Sequence, residues 1–311
     1  MQLTGVRVPG KVMLSGEYAV MLGGMAFMMP ISRHIEVDEI DLVPDKPYSP
    51  VVQMAIKYPI PEVAKFEQKH GRSHIKINPG GFLTTTADGY PVKLGLGLSA
   101  AEAVAVVALR FERAGKPWQQ HRKLVFKYAL EIHREIQKGL GSGADVAACA
   151  FGAPLVYYLK RNRPQIDLVK SPKHDNCPPM VLVWTGRPAN TREMIEKFMA
   201  WAKEDKVATK RLLPNLVKAS DILARSWLVA SPINLYNAID IFGLAMQECA
   251  EAAGIKYRLE LHHELESWAR KKGGRAKPTG AGGGDMILLV GDLPFGELEY
   301  TKVPLVIPSR S

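Results

Sequence analysis

The sequence predicts an α+β protein of two domains, and three observations support this prediction. The chain has 311 residues, about twice the usual domain length of roughly 150 residues. Segments that alternate apolar and polar residues, as strands do, are separated by long segments with helical spacing. The composition, 47% hydrophobic and 23% charged, is that of a globular protein. We place the domain boundary between residues 160 and 161, which gives domains of residues 1–160 and 161–311.

The amino-terminal half is predicted to contain strands followed by helices. Residues 34–40 alternate apolar and polar side chains, as a half-buried strand does, and residues 73–78 alternate more weakly. Residues 100–111 are almost all Ala, Val and Leu, which predicts a helix buried on most of its sides. A second helix is expected over residues 118–137, because its apolar residues recur at helical spacing.

The carboxy-terminal half is predicted to begin with strands and then to become helical. Residues 155–159 and 180–185 are short apolar segments of strand length. The Pro- and charge-rich residues 160–179 between them are expected to form a surface loop or a boundary between domains. The pattern over residues 190–273 is helical. Breaks in the helices are expected at Pro214, at Ser231 with Pro232, and at Gly254. The final strands are expected at residues 286–290 and 303–307.

The charge balance leaves several classes of partner open. The formal net charge is +10 and the sequence pI is about 9.4. Such a balance suits nucleic acid, a membrane surface or small polyanionic substrates, and it is also found on ordinary solvated surfaces. Because the Lys and Arg residues are spread along the chain without a basic tail, an ordinary solvated surface explains the excess as well as a polyanionic partner does.

Cysteine usage and hydropathy predict a cytoplasmic location. The three cysteines stand far apart without a CxxC pair, which indicates reduced thiols and no zinc site. The longest apolar segment, residues 21–31, is about half the roughly 20 residues that a membrane-spanning helix needs. The amino terminus has no apolar segment of the kind found in signal peptides.

A glycine-rich loop at residues 95–99 leads directly into the predicted buried helix. Free N–H groups and the positive dipole end of a helix attract anions, and glycines let the backbone approach a phosphate closely. An ordinary tight turn before a helix is the alternative interpretation. No segment matches the P-loop pattern. Gly95, Gly97 and Ala100 fit the dinucleotide pattern formally, but no long strand precedes them and Glu112 is a poor ribose ligand, so Rossmann-type binding is not expected.

Two further glycine-rich segments each allow a functional and a purely structural interpretation. The segment of residues 280–284 has four glycines in five positions, which predicts either close approach of another group to the backbone or a hairpin. Residues 139–145 end in Asp145, which either serves a ligand or caps the following helix.

Taken in order, the segments PGKVMLSGEYAV, GLGLSAA, GSGADVAA and PTGAGGGD resemble the GHMP kinase superfamily over essentially the whole chain. Details of spacing are most similar to the bacterial-type phosphomevalonate kinases. The closer resemblance is carried by Lys93, by the segment HREIQKGLGSGADVAACAFG at residues 133–152, by Trp184, Thr185 and Gly186 followed by Thr191 and Arg192, and by Asp285. The resemblance implies a two-domain GHMP kinase fold, with an amino-terminal α/β domain that has a left-handed crossover and a ferredoxin-like carboxy-terminal domain.

The resemblance also implies an activity, a set of site residues, and small-molecule substrates as partners with neither nucleic acid nor a membrane. The implied reaction is transfer of phosphate from ATP to 5-phosphomevalonate, giving 5-diphosphomevalonate in the mevalonate route to isoprenoids, with Mg²⁺ as the metal. Lys11 and Asp145 match the catalytic residues. The positions implied for ATP are Lys93, Gly95, Leu96, Gly97, Leu98, Ser99 and Ala100, with Ser99 facing the metal. The positions implied for the substrate are Glu17, Tyr18, Ser142, Gly143, Arg192, Gly280, Ala281 and Gly282.

One departure from the family pattern keeps other functions open. Leu98 stands where the family loop normally has a serine, so one hydroxyl is missing at the implied phosphate site. A mevalonate kinase, another small-molecule kinase of the superfamily, and a non-catalytic paralogue that binds a ligand remain alternatives. Lys93 and Arg192 could also be plain surface charges. A homodimer is left open.

Overall fold

The structure is a computed structural model that describes residues 5–41, 47–86, 88–169, 177–229 and 231–305. The chain divides into two compact units, each assembled from separate segments. The first unit contains Met1–Lys11, Pro30–Thr84 and Leu96–Gly152, and the second contains Val12–Met29, Thr85–Gly95 and Ala153–Ser311. The division into domains at residue 160 stays a prediction.

Two long strands, β1 (Gly5–Ser15) and β2 (Ala26–Ile40), contribute residues to both units. In the first unit, β3 (His74–Asn78) pairs antiparallel with β2, with Glu36 opposite Asn78 and Ile40 opposite His74. The strand expected at residues 73–78 is therefore confirmed. The strand expected at residues 34–40 is also present, as the final part of the longer β2.

The helices of the first unit pack around a buried central helix. They are α1 (Pro50–Lys57), α2 (Pro61–His70), α3 (Leu98–Arg113), α4 (Arg122–Ile136) and α5 (Ala144–Phe151). Helix α3 contacts each of the other four. Its residues 100–111 are all buried, because small Ala and Val side chains allow neighbouring helices to approach on several sides. The helix expected over residues 118–137 begins with one 3₁₀ turn and continues as α4.

The second unit contains a hairpin and an antiparallel four-stranded sheet. The short strand β4 (Leu83–Thr85) ends where the chain passes into the second unit, and β5 (Pro91–Lys93) belongs to that unit. Later in the chain, β6 (Leu155–Lys160) pairs with β2, and β7 (Arg163–Leu168) pairs with β6. The strands of the four-stranded sheet, in spatial order, are β11 (Lys302–Leu305), β8 (Met180–Trp184), β10 (Met286–Val290) and β9 (Arg275–Pro278). The last expected strand is confirmed to residue 305, and its residues 306 and 307 lie outside the described residues.

The helices of the second unit cover this sheet and one another. They are α6 (Thr191–Glu204), α7 (Lys206–Val229), α8 (Pro232–Ala252) and α9 (Glu260–Lys271). Apolar residues of α9, β8, β9 and β10 form one buried cluster with Leu293 and Leu298. Among the residues that the structure describes, no helix combines the length and the apolar character that a membrane-spanning segment requires.

Two predictions of local structure are wrong. Residues 160–179 were expected to form a loop but contain β7, which lies at a sheet edge, so its few apolar residues left no strand signal. Edge strands also tolerate proline, as at Pro164. Pro214 was expected to end a helix but lies exposed inside α7, where packing of both flanking turns keeps the helix continuous.

Candidate active site

In the first unit, the structure brings Lys11 and Asp145 together. Lys11 lies in β1 and Asp145 lies in the first turn of α5, and 3.4 Å separates Lys11 Nζ from Asp145 Oδ2. The Lys11 side chain is only 10% exposed, while that of Asp145 is 37% exposed. A nearly buried ammonium needs an anionic partner, which Asp145 supplies. The half-open carboxylate keeps this ion pair accessible to a ligand.

The loop before α3 fixes the position of Lys11. The Lys11 backbone N–H donates a hydrogen bond of 3.0 Å to the Leu96 carbonyl. Gly97 has a φ of 84°, and a Cβ placed on it would lie 2.7 Å from Lys11 Cε. Glycine is therefore required here twice, for the left-handed backbone and for the close approach of the lysine stem. The amino end of α3 and Lys11 are thereby held as one arrangement.

The first turn of α3 exposes groups that suit an anion. Its first N–H groups are not used by the helix itself, and the helix dipole is positive at this end. Ser99 is half-buried at this turn. Leu98, the departure from the family pattern, is 8% exposed and belongs to the core. Its side chain therefore fills an interior position instead of facing solvent.

Buried groups near the Lys11–Asp145 pair are kept neutral by their surroundings. Burial lowers the pKa of His133, with Asp145 raising it and Lys11 lowering it further. Burial also raises the pKa of the Cys149 thiol, and the Asp145 charge adds to this effect. Ser142 is buried, and its hydroxyl accepts a hydrogen bond of 3.2 Å from the Ala144 N–H at the start of α5. Gly143 is the residue that precedes this helix.

In the second unit, Tyr18 contacts the last glycine-rich loop. Its hydroxyl donates a hydrogen bond of 2.9 Å to the Ala281 carbonyl, and its ring centroid lies 4.4 Å from that of Phe198 in α6. Tyr18 has a φ of 55°, a left-handed conformation that is unusual for a bulky residue. Burial, together with the Glu17 charge, raises the pKa of the Tyr18 hydroxyl, so it stays a hydrogen-bond donor.

Glu17 and Lys277 form an ion pair inside the second unit. The distance from Lys277 Nζ to Glu17 Oε1 is 2.5 Å, and the two side chains are 1% and 0% exposed. Sequence reasoning identified Glu17 but missed Lys277, which lies in β9 immediately before the glycine-rich loop. The sequence signal that could have indicated a buried Lys277 is its position between the apolar Ala276 and Pro278 in a short strand.

The last glycine-rich loop is held by backbone contacts on its other side. The Gly283 N–H donates a hydrogen bond of 2.8 Å to the Tyr257 carbonyl. Gly282 has a φ of 80°, and a Cβ on it would lie 2.3 Å from the Tyr257 ring. Gly280 begins the loop with left-handed backbone as well. The loop has therefore one packed arrangement against Tyr257.

Asp285 connects the end of this loop to the segment that precedes α6. Its N–H donates to the Arg187 carbonyl at 2.8 Å, and its Oδ1 accepts from the Ala189 N–H at 3.0 Å. The Thr185 N–H donates to the Asp285 carbonyl at 2.9 Å. The Asp285 side chain also lies directly against Gly95. Within the second unit, these contacts fix Gly95 and the segment before α6 against the end of the glycine-rich loop.

The remaining candidates are surface residues. Lys93 is exposed at the end of β5. Arg192 is exposed in the first turn of α6 and forms an ion pair of 2.9 Å with Glu196 on the same helix. Both side chains are open to a ligand, but this exposure does not assign a role to them. Within the described part of the chain, no group of three or more His, Cys, Asp and Glu residues could hold a metal ion.

Comparisons with known proteins agree with this architecture. Residues 58–153 match the family described as GHMP kinases N terminal domain. The chain is 24% identical over 307 residues to the phosphomevalonate kinase of Saccharolobus solfataricus, covering 92% of this chain and 90% of that protein. The structure of Streptococcus pneumoniae phosphomevalonate kinase in complex with phosphomevalonate and AMPPNP matches with a TM-score of 0.74 at 18% identity, covering 97% of this chain and 100% of that chain. Methanococcus jannaschii mevalonate kinase matches with a TM-score of 0.70 at 16% identity, over 98% of each chain.

The chain has the fold of the GHMP kinases, a superfamily of phosphotransferases, and its residues 58–153 match the amino-terminal domain of that family. The resemblance read from the four sequence segments is thereby confirmed. Within this class, the chain is similar over most of its length to a phosphomevalonate kinase, and it shares its fold with mevalonate kinases as well.

Proposed function

We propose that the chain transfers the γ-phosphoryl group of ATP to 5-phosphomevalonate and releases ADP and 5-diphosphomevalonate. A phosphate oxygen of the acceptor forms the new bond to the γ-phosphorus, and the bond from that phosphorus to the β-phosphate oxygen breaks. The observation that carries this proposal is the pairing of Lys11 with Asp145 beside the amino end of α3. The similarity to a phosphomevalonate kinase over 92% of the chain supports the choice of acceptor.

The nucleotide is assigned to residues 95–100 and Lys93. The N–H groups in the first turn of α3 would hold phosphate oxygens, since they point out of the helix end with its positive dipole. The Lys11 ammonium would stabilise the negative charge on the transferring phosphoryl group, the main demand of this chemistry. Because Leu98 belongs to the core, its backbone N–H serves the phosphates while its side chain does not.

The donor set fits a magnesium ion that arrives with the nucleotide. Magnesium keeps several waters and needs only one or two protein oxygens in addition to phosphate oxygens. The half-buried Ser99 hydroxyl and the 37% exposed Asp145 carboxylate are such oxygens. When bound, Mg²⁺ would neutralise charge on the β- and γ-phosphates. Ser99 and Asp145 would then orient the nucleotide through this ion.

Asp145 is assigned an orienting role and not that of a general base. A phosphomonoester has a second pKa of about 6 and is mostly dianionic at pH 7, so the attacking oxygen carries little proton to remove. The carboxylate instead holds the Lys11 ammonium in place at 3.4 Å. An alcohol acceptor such as mevalonate would make the opposite demand, because its hydroxyl must lose a proton.

The acceptor is assigned to residues of both glycine-rich segments that follow the nucleotide loop and to the segment after β1. Arg192 would bind a phosphate group, since its guanidinium is exposed and presents several donors. The other residues assigned to the acceptor site are Tyr18, Ser142, Gly143, Gly280, Ala281 and Gly282, and the fully buried Glu17 is assigned to the same site without direct contact to the acceptor. A cytoplasmic location, the lack of a nucleic-acid partner and a homodimer likewise remain proposals.

An ADP-release assay with Mg-ATP tests the proposal when phosphomevalonate and mevalonate are offered separately. Turnover with phosphomevalonate alone is expected. Turnover with mevalonate alone would contradict the assigned acceptor and favour the mevalonate kinase alternative, whose fold is equally shared. If neither acceptor leads to ADP release, although cooperative unfolding shows that the protein is folded, catalysis would be contradicted. That result would favour a ligand-binding paralogue in which Leu98 is the decisive change.

A further inference from the structure

The Glu17–Lys277 pair is the most deeply buried ion pair among the described residues. Its side chains are 0% and 1% exposed, whereas those of the Arg110–Glu67 pair are 6% and 8% exposed. Removing one member of such a pair leaves an uncompensated charge in the interior, while replacing both by apolar residues of similar volume is often harmless to stability. Stability alone therefore gives no reason for this chain to keep the pair.

Each charge of the pair depends on the other. Glu17 Oε1 accepts a hydrogen bond from Lys277 Nζ, and no hydrogen bond to Glu17 Oε2 comes from the described part of the chain. On its other side, Lys277 Nζ lies 5.6 Å from the centroid of the Phe242 ring in α8. The position of Glu17 is thus set by a lysine that is itself fixed between a sheet and a helix.

The pair lies next to a second contact between the same two segments. Glu17 precedes Tyr18, whose hydroxyl binds the Ala281 carbonyl, and Lys277 precedes Ala281 by four residues. The segment after β1 and the segment after β9 are therefore connected twice, by an ion pair and by a neutral hydrogen bond. Tyr18 keeps its left-handed backbone, which bulky residues adopt only where the surroundings impose it.

We propose that Glu17 and Lys277 are positioning residues that hold Tyr18 and the loop of residues 280–284 in the arrangement that binds the phosphoryl acceptor. This inference rests on the function proposed above. Glu17 acts through Tyr18 and not by touching the acceptor, because its side chain is fully buried and its bonded oxygen is occupied by Lys277. Lys277 acts through the first residues of the loop in the same way.

The decisive variant replaces both members by apolar residues of similar length, Glu17→Met with Lys277→Met. This change removes the directional bond without leaving a buried charge. The matched control is Arg110→Met with Glu67→Met, which removes a comparably buried pair of 2.7 Å in the first unit. Three quantities are measured on each protein: the unfolding midpoint, the KM values for phosphomevalonate and ATP, and amide hydrogen exchange of residues 280–284 without ligands.

We expect the double methionine variant at 17 and 277 to unfold near the native midpoint but to bind the acceptor poorly. Its KM for phosphomevalonate should rise by about tenfold or more, which corresponds to about 1.4 kcal/mol. Its KM for ATP should change little, and exchange at residues 280–284 should become faster. The control pair should lower the unfolding midpoint, because Arg110 also donates hydrogen bonds to the Ala55 and Tyr58 carbonyls, while both KM values and the loop exchange stay native.

The route through Tyr18 is tested by adding Tyr18→Phe. In the native background, this change should raise the KM for phosphomevalonate, whereas in the double methionine background it should add little. Residues that act through one another are non-additive in this way. Full additivity of the two effects would contradict the proposal, because Glu17 and Lys277 would then act independently of Tyr18.

A native KM and native exchange in the double methionine variant would overturn the positioning role and leave a purely structural pair. If that variant does not fold, Glu17→Gln with Lys277→Met replaces it, since Gln keeps the shape of Glu17 and no buried charge remains; the same two readouts then decide. The exchange measurement needs no substrate. If the native protein does not use phosphomevalonate, the proposed function fails. The exchange measurement still decides the positioning role: faster exchange at residues 280–284 in the variant supports it, and unchanged exchange rejects it.

Discussion

Asp145 is half-open to solvent, whereas its partner Lys11 is held by its backbone bond to Leu96, by contact with Gly97 and by the ion pair itself. This asymmetry suits a site where the lysine must stay in place and the carboxylate can turn toward a ligand. The Asp145 carboxylate has two candidate roles, that of a general base and that of an orienting group. Removing its charge tests them, because a general base loses its function without the charge, whereas an orienting group keeps part of it.

Asp145→Asn is expected to retain measurable activity, because a dianionic acceptor needs no base. Lys93→Ala is expected to cost more, by about tenfold or more in kcat/KM, if one phosphate contact of a charged group is lost. The ADP-release assay with phosphomevalonate checks both. An inactive Asp145→Asn protein together with a fully active Lys93→Ala protein would contradict the orienting role.

Gly97→Ala is expected to destabilise the protein and to abolish most activity. The left-handed backbone costs about 1–2 kcal/mol for a residue with a Cβ, and the new methyl would meet the Lys11 stem at 2.7 Å. Chemical denaturation and the kinetic assay measure the two effects.

Gly115→Ala is the matched control for this change. Gly115 also has a left-handed backbone, with a φ of 70°, but no atom lies within 4 Å of a Cβ placed there. It should therefore lose stability through the backbone alone and keep native kinetics. Equal kinetic losses in the two variants would show that displacement of Lys11 is not what Gly97→Ala causes.

The residues of the site differ in how far the sequence alone could identify them. Lys11 and Asp145 stand in ordered segments with family resemblance, and the structure brings them together. Lys277 could not be identified as the partner of Glu17, because pairing across 260 positions leaves no periodic or local pattern. Its burial depends on the packing of β9 against α8, which no spacing rule expresses.

At the scale of single elements, α9 carries a buried histidine that makes stability depend on pH. The His262 Nδ1 accepts a hydrogen bond of 3.1 Å from the Leu259 N–H at the start of the helix. Burial, aided by the positive charge of Arg258, lowers the pKa of His262 from 6.5 to about 4. The folded protein therefore keeps this ring neutral over a range in which the unfolded chain takes up a proton.

Stability is expected to fall as the pH decreases from about 6.5 to about 4, with His262 contributing about 3 kcal/mol over that range. Above pH 6.5 the ring is neutral in both states and its contribution is complete. Denaturation at a series of pH values measures this slope. His262→Asn keeps an acceptor for the Leu259 N–H and should remove most of this slope. His263→Asn on the exposed side of α9 should reduce it only slightly, because the His263 charge is a smaller cause of the lowered His262 pKa.

Part of the acid slope should remain in His262→Asn, because burial also lowers the pKa of His133 in α4. An unchanged slope in His262→Asn would show that His262 gains its proton equally in the folded and unfolded protein.

Elements with a strong internal pattern were predicted well, and those defined by their neighbours were not. Helix α3 was evident from its Ala- and Val-rich composition, and the buried strands β6, β8 and β10 from their apolar runs. The edge strand β7 was not predicted, because none of its residues is buried and they show no apolar pattern. The helix break predicted at Pro214 is absent for a related reason: tertiary packing holds the two turns of α7 beside it.

At the scale of the whole molecule, the chain passes repeatedly between its two compact units. Residues 12–29 and 85–95 belong to the second unit although the surrounding sequence belongs to the first. The sequence pattern predicted the α+β class correctly, while the division into two domains at residue 160 stays a prediction. A pattern along the chain does not mark short segments that pack with residues far downstream.

This interleaving has a consequence for synthesis of the protein. Ala26, Phe27 and Met28 of β2 pair with β6 residues that follow about 130 positions later. At roughly 5–20 residues per second, a ribosome needs on the order of ten seconds to produce that partner strand. During this interval the nascent chain presents an apolar strand segment without its neighbour, and so it offers chaperones a binding site that disappears once β6 has emerged.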